Sequence, residues 1–153
     1  MKKLHITFVA LFMLVAVQAQ TAAEKAVLGK WNIASVTTDG VTFDMNTGDM
    51  TFSDEVVKEI KAEGVSLEGA KKMLKPQMSE YKDMSLTINA NGTMKMFIFK
   101  TTFDDTYKLV EKDGKKWFIG GGGAETEYIL TDNMLVLMVN KRDTIIQMSF
   151  KKE

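Results

Sequence analysis

From Met84 to the C-terminus the chain alternates apolar and polar residues with period two, and turn signals cut that alternation into segments of strand length. Residues 85–89 place Leu86 and Ile88 on one face, Asn91-Gly92 is a strong two-residue hairpin signal, and residues 93–100 return with Met94, Met96 and Ile98 opposed to Phe97 and Phe99. Residues 106–111 offer Tyr107 and Leu109, Asp113-Gly114 turns, and residues 116–119 offer Trp117 and Ile119. Gly120 to Gly123 connect flexibly to residues 125–130, and Thr131-Asp132-Asn133 turns into residues 134–140, which are apolar on both faces. Residues 143–151 close the chain with Ile146, Met148 and Phe150 alternating. About seven strands in up-and-down order follow from this pattern.

The segment before the meander carries one further strand and a helical insertion. Gly29-Lys30-Trp31 opens the strand, with Trp31, Ile33, Ser35 and Thr37 expected on one face and Asn32, Ala34 and Val36 on the other. Asp39-Gly40 signals a hairpin turn, Val41-Thr42-Phe43 a short return, and Asn46-Thr47-Gly48-Asp49 a break. Ser53 followed by Asp54 and Glu55 is a helix start, since a side-chain oxygen caps the free amides and acids suit the positive end of the helix dipole. Gly64 stops that helix, Ser66 starts a second, and Pro76 marks a kink or restart before Tyr81. Residues 54–82 therefore read as a helix-turn-helix insertion after the first strand.

Eight antiparallel strands must dispose of their two edges, and closure into a barrel removes both. A sandwich is the alternative, but Greek-key topologies need long cross-connections, and every connection after Met84 is short. The expected fold is mainly β: a small up-and-down barrel of about eight strands. At 153 residues the chain has room for one such domain and one core.

The N-terminus reads Met1-Lys2-Lys3, an apolar run from Ile6 to Val17, and Val17-Gln18-Ala19 before Gln20. A basic start, an apolar stretch of secretory length and small residues at the cleavage positions make residues 1–19 an expected signal peptide, leaving 20–153 as the domain. A retained anchor is the alternative, but the run falls short of the roughly 20 residues a bilayer span needs. Cleavage after Ala19 would remove Lys2, Lys3 and His5, leaving no histidine and a net charge of about −2 on a periplasmic or secreted product. No cysteine is present to carry a lipid.

Missing side chains bound the chemistry. Without His or Cys the mature chain builds no Ser-His-Asp triad, no Cys-His pair, no His-ligated metal and no histidine base near neutrality. Carboxylates, lysines and tyrosines stay available, but no convergent catalytic set is visible, so no enzyme activity and no cofactor are expected. Equal numbers of basic and acidic residues, 20 each, give no excess for binding nucleic acid. Asp44, Asn46 and Glu55 match the first, third and twelfth positions of a calcium loop, yet Asp49 stands where the turn needs glycine, so no metal is expected. Asp104-Asp105 with Lys100 and Lys108 read as exposed turn charges. Gly120 to Gly123 lack the Lys-Ser or Lys-Thr pair and following helix of a phosphate loop.

Gly29-Lys30-Trp31 at the head of an all-β meander, after Leu28 and an export segment, resembles the start of a lipocalin-like domain of the calycin type, as found in secreted bacterial proteins. The resemblance implies a barrel whose end is closed by Trp31. In lipocalins a late arginine packs over that tryptophan; here the only arginine is Arg142, and the final strand offers Lys151 and Lys152. The helical insertion is similar to the lid of fatty-acid-binding proteins.

Periodicity does not fix which face turns inward. The expected interior comprises Trp31, Leu86, Ile88, Met94, Met96, Tyr107, Trp117, Tyr128, Met138 and Met148. Flexible, polarizable methionines suit a cavity that accepts apolar molecules of several shapes, with Tyr107, Tyr128 or Trp117 as polar handles. An eight-stranded barrel is also just wide enough to be filled by its own side chains. Val57, Ile60, Leu67, Met73 and Leu74 form the apolar faces of the helix pair, either a lid over the ligand entrance or a plug on the barrel end. Two functions follow: a non-catalytic binder of a small hydrophobic or amphipathic ligand, or a filled-barrel envelope module that recognises a protein or glycan.

Overall fold

The computed structural model describes residues 22–141 and 143–153. The expected signal peptide and Arg142 lie outside the described residues. Among the described residues, ten strands and three helices follow in the order α1 (Ala22–Val27), β1 (Gly29–Thr38), β2 (Val41–Asp44), β3 (Met50–Phe52), α2 (Asp54–Ala62), α3 (Leu67–Ser79), β4 (Ser85–Ile88), β5 (Thr93–Ile98), β6 (Thr101–Lys112), β7 (Lys115–Gly120), β8 (Glu125–Thr131), β9 (Met134–Lys141) and β10 (Thr144–Lys152).

Strands β4 to β10 pair each with the next, β4 pairs with the first half of β1, and β10 pairs back onto β1. The result is a closed, antiparallel eight-stranded barrel of β1 and β4 to β10, the meander expected from the turn spacing. Strands β2 and β3 are additional, joined as a hairpin to the second half of β1. Asp39 and Gly40 both take positive φ in the β1–β2 turn, 48° and 73°. Glycine is needed there for a second reason: a Cβ on Gly40 would stand 2.6 Å from Ser53 Oγ and 2.8 Å from Val56 Cγ2, where α2 begins.

Three local expectations are corrected. The face assignment in β1 changes at a bulge between Ile33 and Ser35: Trp31, Ile33 and Val36 are buried, while Ser35 and Thr37 belong to the outer face. The extra residue, Ala34, gives its carbonyl to Met45 N–H at 2.8 Å. Pro76 neither ends nor restarts α3, which runs unbroken from Leu67 to Ser79. Strand β6 begins at Thr101 rather than near Thr106, because Phe99 and Lys100 form the β5–β6 turn with φ of 49° and 62°. Both helices start where expected, with Ser53 Oγ accepting from Val56 N–H at 3.4 Å and Ser66 Oγ from Gly69 N–H at 3.0 Å.

The core runs the length of the barrel and continues beneath the β2–β3 hairpin, where Phe43, Met45 and Met50 join Ala70 and Met78 of α3 in burial. At the barrel end that holds the start of β1, Trp31 is fully buried, and its indole N–H donates to the Val27 carbonyl at 2.7 Å. Lys152 of β10 pairs opposite Trp31, places Nζ 5.1 Å from the ring centre and donates to the Ala26 carbonyl at 3.0 Å. A lysine thus occupies the place over the tryptophan that the resemblance gives to arginine, and α1 is fastened across this end. No helix among the described residues is long and apolar enough to cross a membrane.

Candidate functional site

The register divides the barrel interior into two halves. Near the α1 end, β1 pairs Trp31 with Leu86 and Gly29 with Ile88, and inward Tyr128, Leu130 and Leu135 complete a filled layer. Tyr107 and Phe118 meet edge to face at 5.7 Å between ring centres, and Phe118 and Tyr128 are tilted at 4.6 Å. Burial raises the pKa of both tyrosines above 10.0, and the Glu24 carboxylate of α1 adds to the shift. Tyr107 O–H donates to the Asn89 carbonyl at 2.9 Å.

Towards the opposite end the interior is hollow. A cavity of about 280 Å³ is lined by Leu86, Met94, Met96, Leu137, Val139 and Met148, together with Met84, Ile98, Phe118 and Phe150. It reaches the rim at the β7–β8 connection, where Gly120, Ala124 and Thr126 contribute and Ala124 is exposed. Among the described residues, its wall contains a single ionisable side chain, Asp105.

Asp105 is on the inner face because β6 alternates. It pairs with Met94, whereas Asp104 pairs with Lys95 on the outer face and forms an ion pair with it at 3.6 Å. The two aspartates, expected as exposed turn charges, are thus parted by the strand, one outward and one lining the cavity. Asp105 Oδ1 accepts from Thr106 N–H at 2.7 Å and Gly121 N–H at 3.2 Å. Oδ2 faces Gly120, where an added Cβ would come within 3.0 Å of it.

Of the side chains expected inside, Leu86, Met94, Met96 and Met148 line the cavity, and Trp31, Ile88, Tyr107 and Tyr128 are packed in the core without lining it. Trp117 and Met138 are corrections. Trp117 pairs with Glu127, which pairs with Met138, so all three share the outer face, while Phe118 takes the buried position. Lys112 Nζ sits 4.6 Å from the Trp117 ring centre and forms an ion pair with Glu125. None of the three proposed polar handles lines the cavity.

The helices α2 and α3 pack on each other, and α2 packs on β3. Val57, Ile60, Leu67, Met73 and Leu74 are absent from the cavity wall; Leu74 packs on the core under the hairpin, and Met73 is 62% exposed. Sequence reasoning missed Leu137 and Val139 because consecutive apolar residues in β9 permit two phases, and Asp105 because strand boundaries were needed to place it; Phe150, two residues from Met148 and on the same face, was legible but not singled out. The calcium-like loop closes on itself: Asp44 Oδ1 accepts from Asn46 N–H at 2.8 Å and Thr47 N–H at 2.9 Å, bonds that hold its carboxyl below the usual value.

No protein-family model and no curated protein matches the sequence. Among solved structures, a DUF4847 family protein from Bacteroides vulgatus superposes with a TM-score of 0.51 at 13% identity, over 87% of this chain and 99% of that one. Fatty-acid-binding protein 1 of Echinococcus granulosus superposes with a TM-score of 0.39 at 14% identity, over 84% and 98% of the two chains. At such identities the likeness reaches the fold alone, and that fold is a calycin-like, closed antiparallel barrel of eight strands.

Proposed function

We propose that the protein is an exported, non-catalytic binder that holds a small hydrophobic or amphipathic molecule in the hollow half of its barrel. The observation that carries this reading is the methionine- and aliphatic-lined cavity next to a layer filled by Trp31, Ile88 and Tyr128. One half of the barrel supplies stability, and the other keeps space that its own side chains do not take. At about 280 Å³ the space suits a chain of roughly ten non-hydrogen atoms, taking about 30 Å³ for each water-sized group. Apolar area removed from water provides the affinity, and Met84, Met94, Met96 and Met148 adjust their rotamers to the ligand's shape. Export to the periplasm or medium rests on the basic and apolar start of the chain, and the absence of catalysis on the missing His and Cys of the mature sequence.

The test is uptake of the uncharged fluorescent dye phenylnaphthylamine, followed by displacement with decanol. Saturable uptake reversed by decanol, and abolished by Leu137→Trp in a variant that keeps its unfolding transition, is the expected result. Absence of uptake by the unaltered protein would refute the cavity reading and favour a barrel that works through its outer surface.

A further inference from the structure

We infer that the ligand is a cationic amphiphile, a short apolar chain ending in an ammonium or similar donor-rich head that pairs with Asp105. This deepens the proposed function and rests on it. The cavity wall is built from Met, Leu, Ile, Val, Phe, Gly and Ala, with the hydroxyls of Ser85 and Thr126 and one carboxylate, Asp105. Among the described residues, no lysine or arginine lines it.

A carboxylate facing an apolar space is costly unless something donates to it. One oxygen is provided for: Oδ1 takes two backbone N–H groups, from Thr106 and from Gly121 across the β6–β7 pair. That fixes the rotamer. Oδ2 is turned towards Gly120, itself a lining residue, and takes part in no hydrogen bond with a described residue. The glycines make this arrangement fit, since a Cβ at Gly121 would stand 2.7 Å from Oδ1 and 2.6 Å from Thr106 Oγ1. A head group entering past Ala124 therefore meets a held acceptor at the rim of an apolar hole.

Charge then sorts the ligands. An alkylammonium gains a charge-assisted hydrogen bond to Oδ2. A fatty acid brings a second carboxylate against the first, where like charges repel. An uncharged alcohol donates one hydrogen bond to the carboxylate without the ion-pair attraction and falls between. The specificity is opposite to that of a pocket furnished with cationic side chains to receive a carboxylate.

The experiment is displacement of bound phenylnaphthylamine at neutral pH by decylamine, decanol and decanoic acid, which share one chain and differ only in the head. Decylamine is expected to compete at about tenfold lower concentration than decanoic acid, with decanol between. Asp105→Asn, whose amide oxygen still accepts from Thr106 and Gly121, should retain the dye and bring amine and acid within about twofold of each other. Decanoic acid competing as well as or better than decylamine, or an amine advantage that survives Asp105→Asn, would overturn the inference while dye uptake leaves the cavity reading standing. Absence of dye uptake by the unaltered protein would overturn both. Should the variant not fold, the ranking of the three heads on the unaltered protein decides.

Discussion

Replacing Trp31 by Phe probes the part of the barrel that gives stability and leaves the hollow part alone. Trp31 is fully buried, its N–H is bonded to the Val27 carbonyl at 2.7 Å, and Lys152 lies over its ring. Phenylalanine keeps most of the apolar contact but loses about 1 kcal/mol of transfer free energy with the smaller ring. It leaves the Val27 carbonyl without its donor, at about 1–2 kcal/mol, and weakens the cation–π contact by about 0.5 kcal/mol. Together these give about 2–4 kcal/mol, a large fraction of the stability of a domain this size, or a fall in Tm of very roughly 6–15 °C. The control is Trp117→Phe on the outer face, where the indole N–H has no hydrogen-bond partner among the described residues and the expected cost is below about 1 kcal/mol. Urea unfolding followed by circular dichroism gives both values, provided the m-value is unchanged. If Trp117→Phe costs as much as Trp31→Phe or more, the assignment of inner and outer faces is wrong.

Other outcomes follow from the same geometry. Gly121→Ala should destabilise by about 1–2 kcal/mol, because its Cβ meets Asp105 Oδ1 and Thr106 Oγ1, whereas Gly122→Ala, with nothing within 4 Å, should be close to neutral by thermal melting. Tyr107 and Tyr128 have pKa values raised in the folded state, so their contribution is fully present below pH 10.0 and is lost as pH rises through the higher folded values. Phenolate absorbance should rise later for these two than for free tyrosine, and stability should decline in that alkaline window; a phenolate titration with its midpoint below pH 10.0 for both would contradict their burial. Val57→Ala and Met73→Ala should leave dye affinity within about twofold of the unaltered protein, since neither side chain lines the cavity; a large loss would restore the lid.

The strand order was legible because Asn91-Gly92, Asp113-Gly114 and Thr131-Asp132-Asn133 punctuate the meander at its turns, and the caps Ser53 and Ser66 locate both helices. The Phe99-Lys100 turn was not, because two side chains that seldom take positive φ form it, and the start of β6 was misplaced with it. Phase was legible wherever polar residues alternate with apolar ones, as in β4 and β5. It was illegible where apolar residues are consecutive, as in Trp117-Phe118-Ile119 and in β9, and there the two mistaken interior residues fall. The bulge at Ala34 reversed the second half of β1 without any sequence mark. Asp105 needed both the true strand start and the inward phase of β6 before its place beside the cavity could be seen.

The hollow half of the barrel is the central claim, and native mass spectrometry of the protein purified from the cells that make it, with organic extraction of whatever it carries, tests it most directly. The account predicts a reproducible added mass, of a small amphipathic molecule with about ten non-hydrogen atoms in its apolar part, that leaves on extraction and rebinds once. A bare polypeptide mass under gentle conditions, unchanged by added decylamine, decanol or decanoic acid, would contradict it.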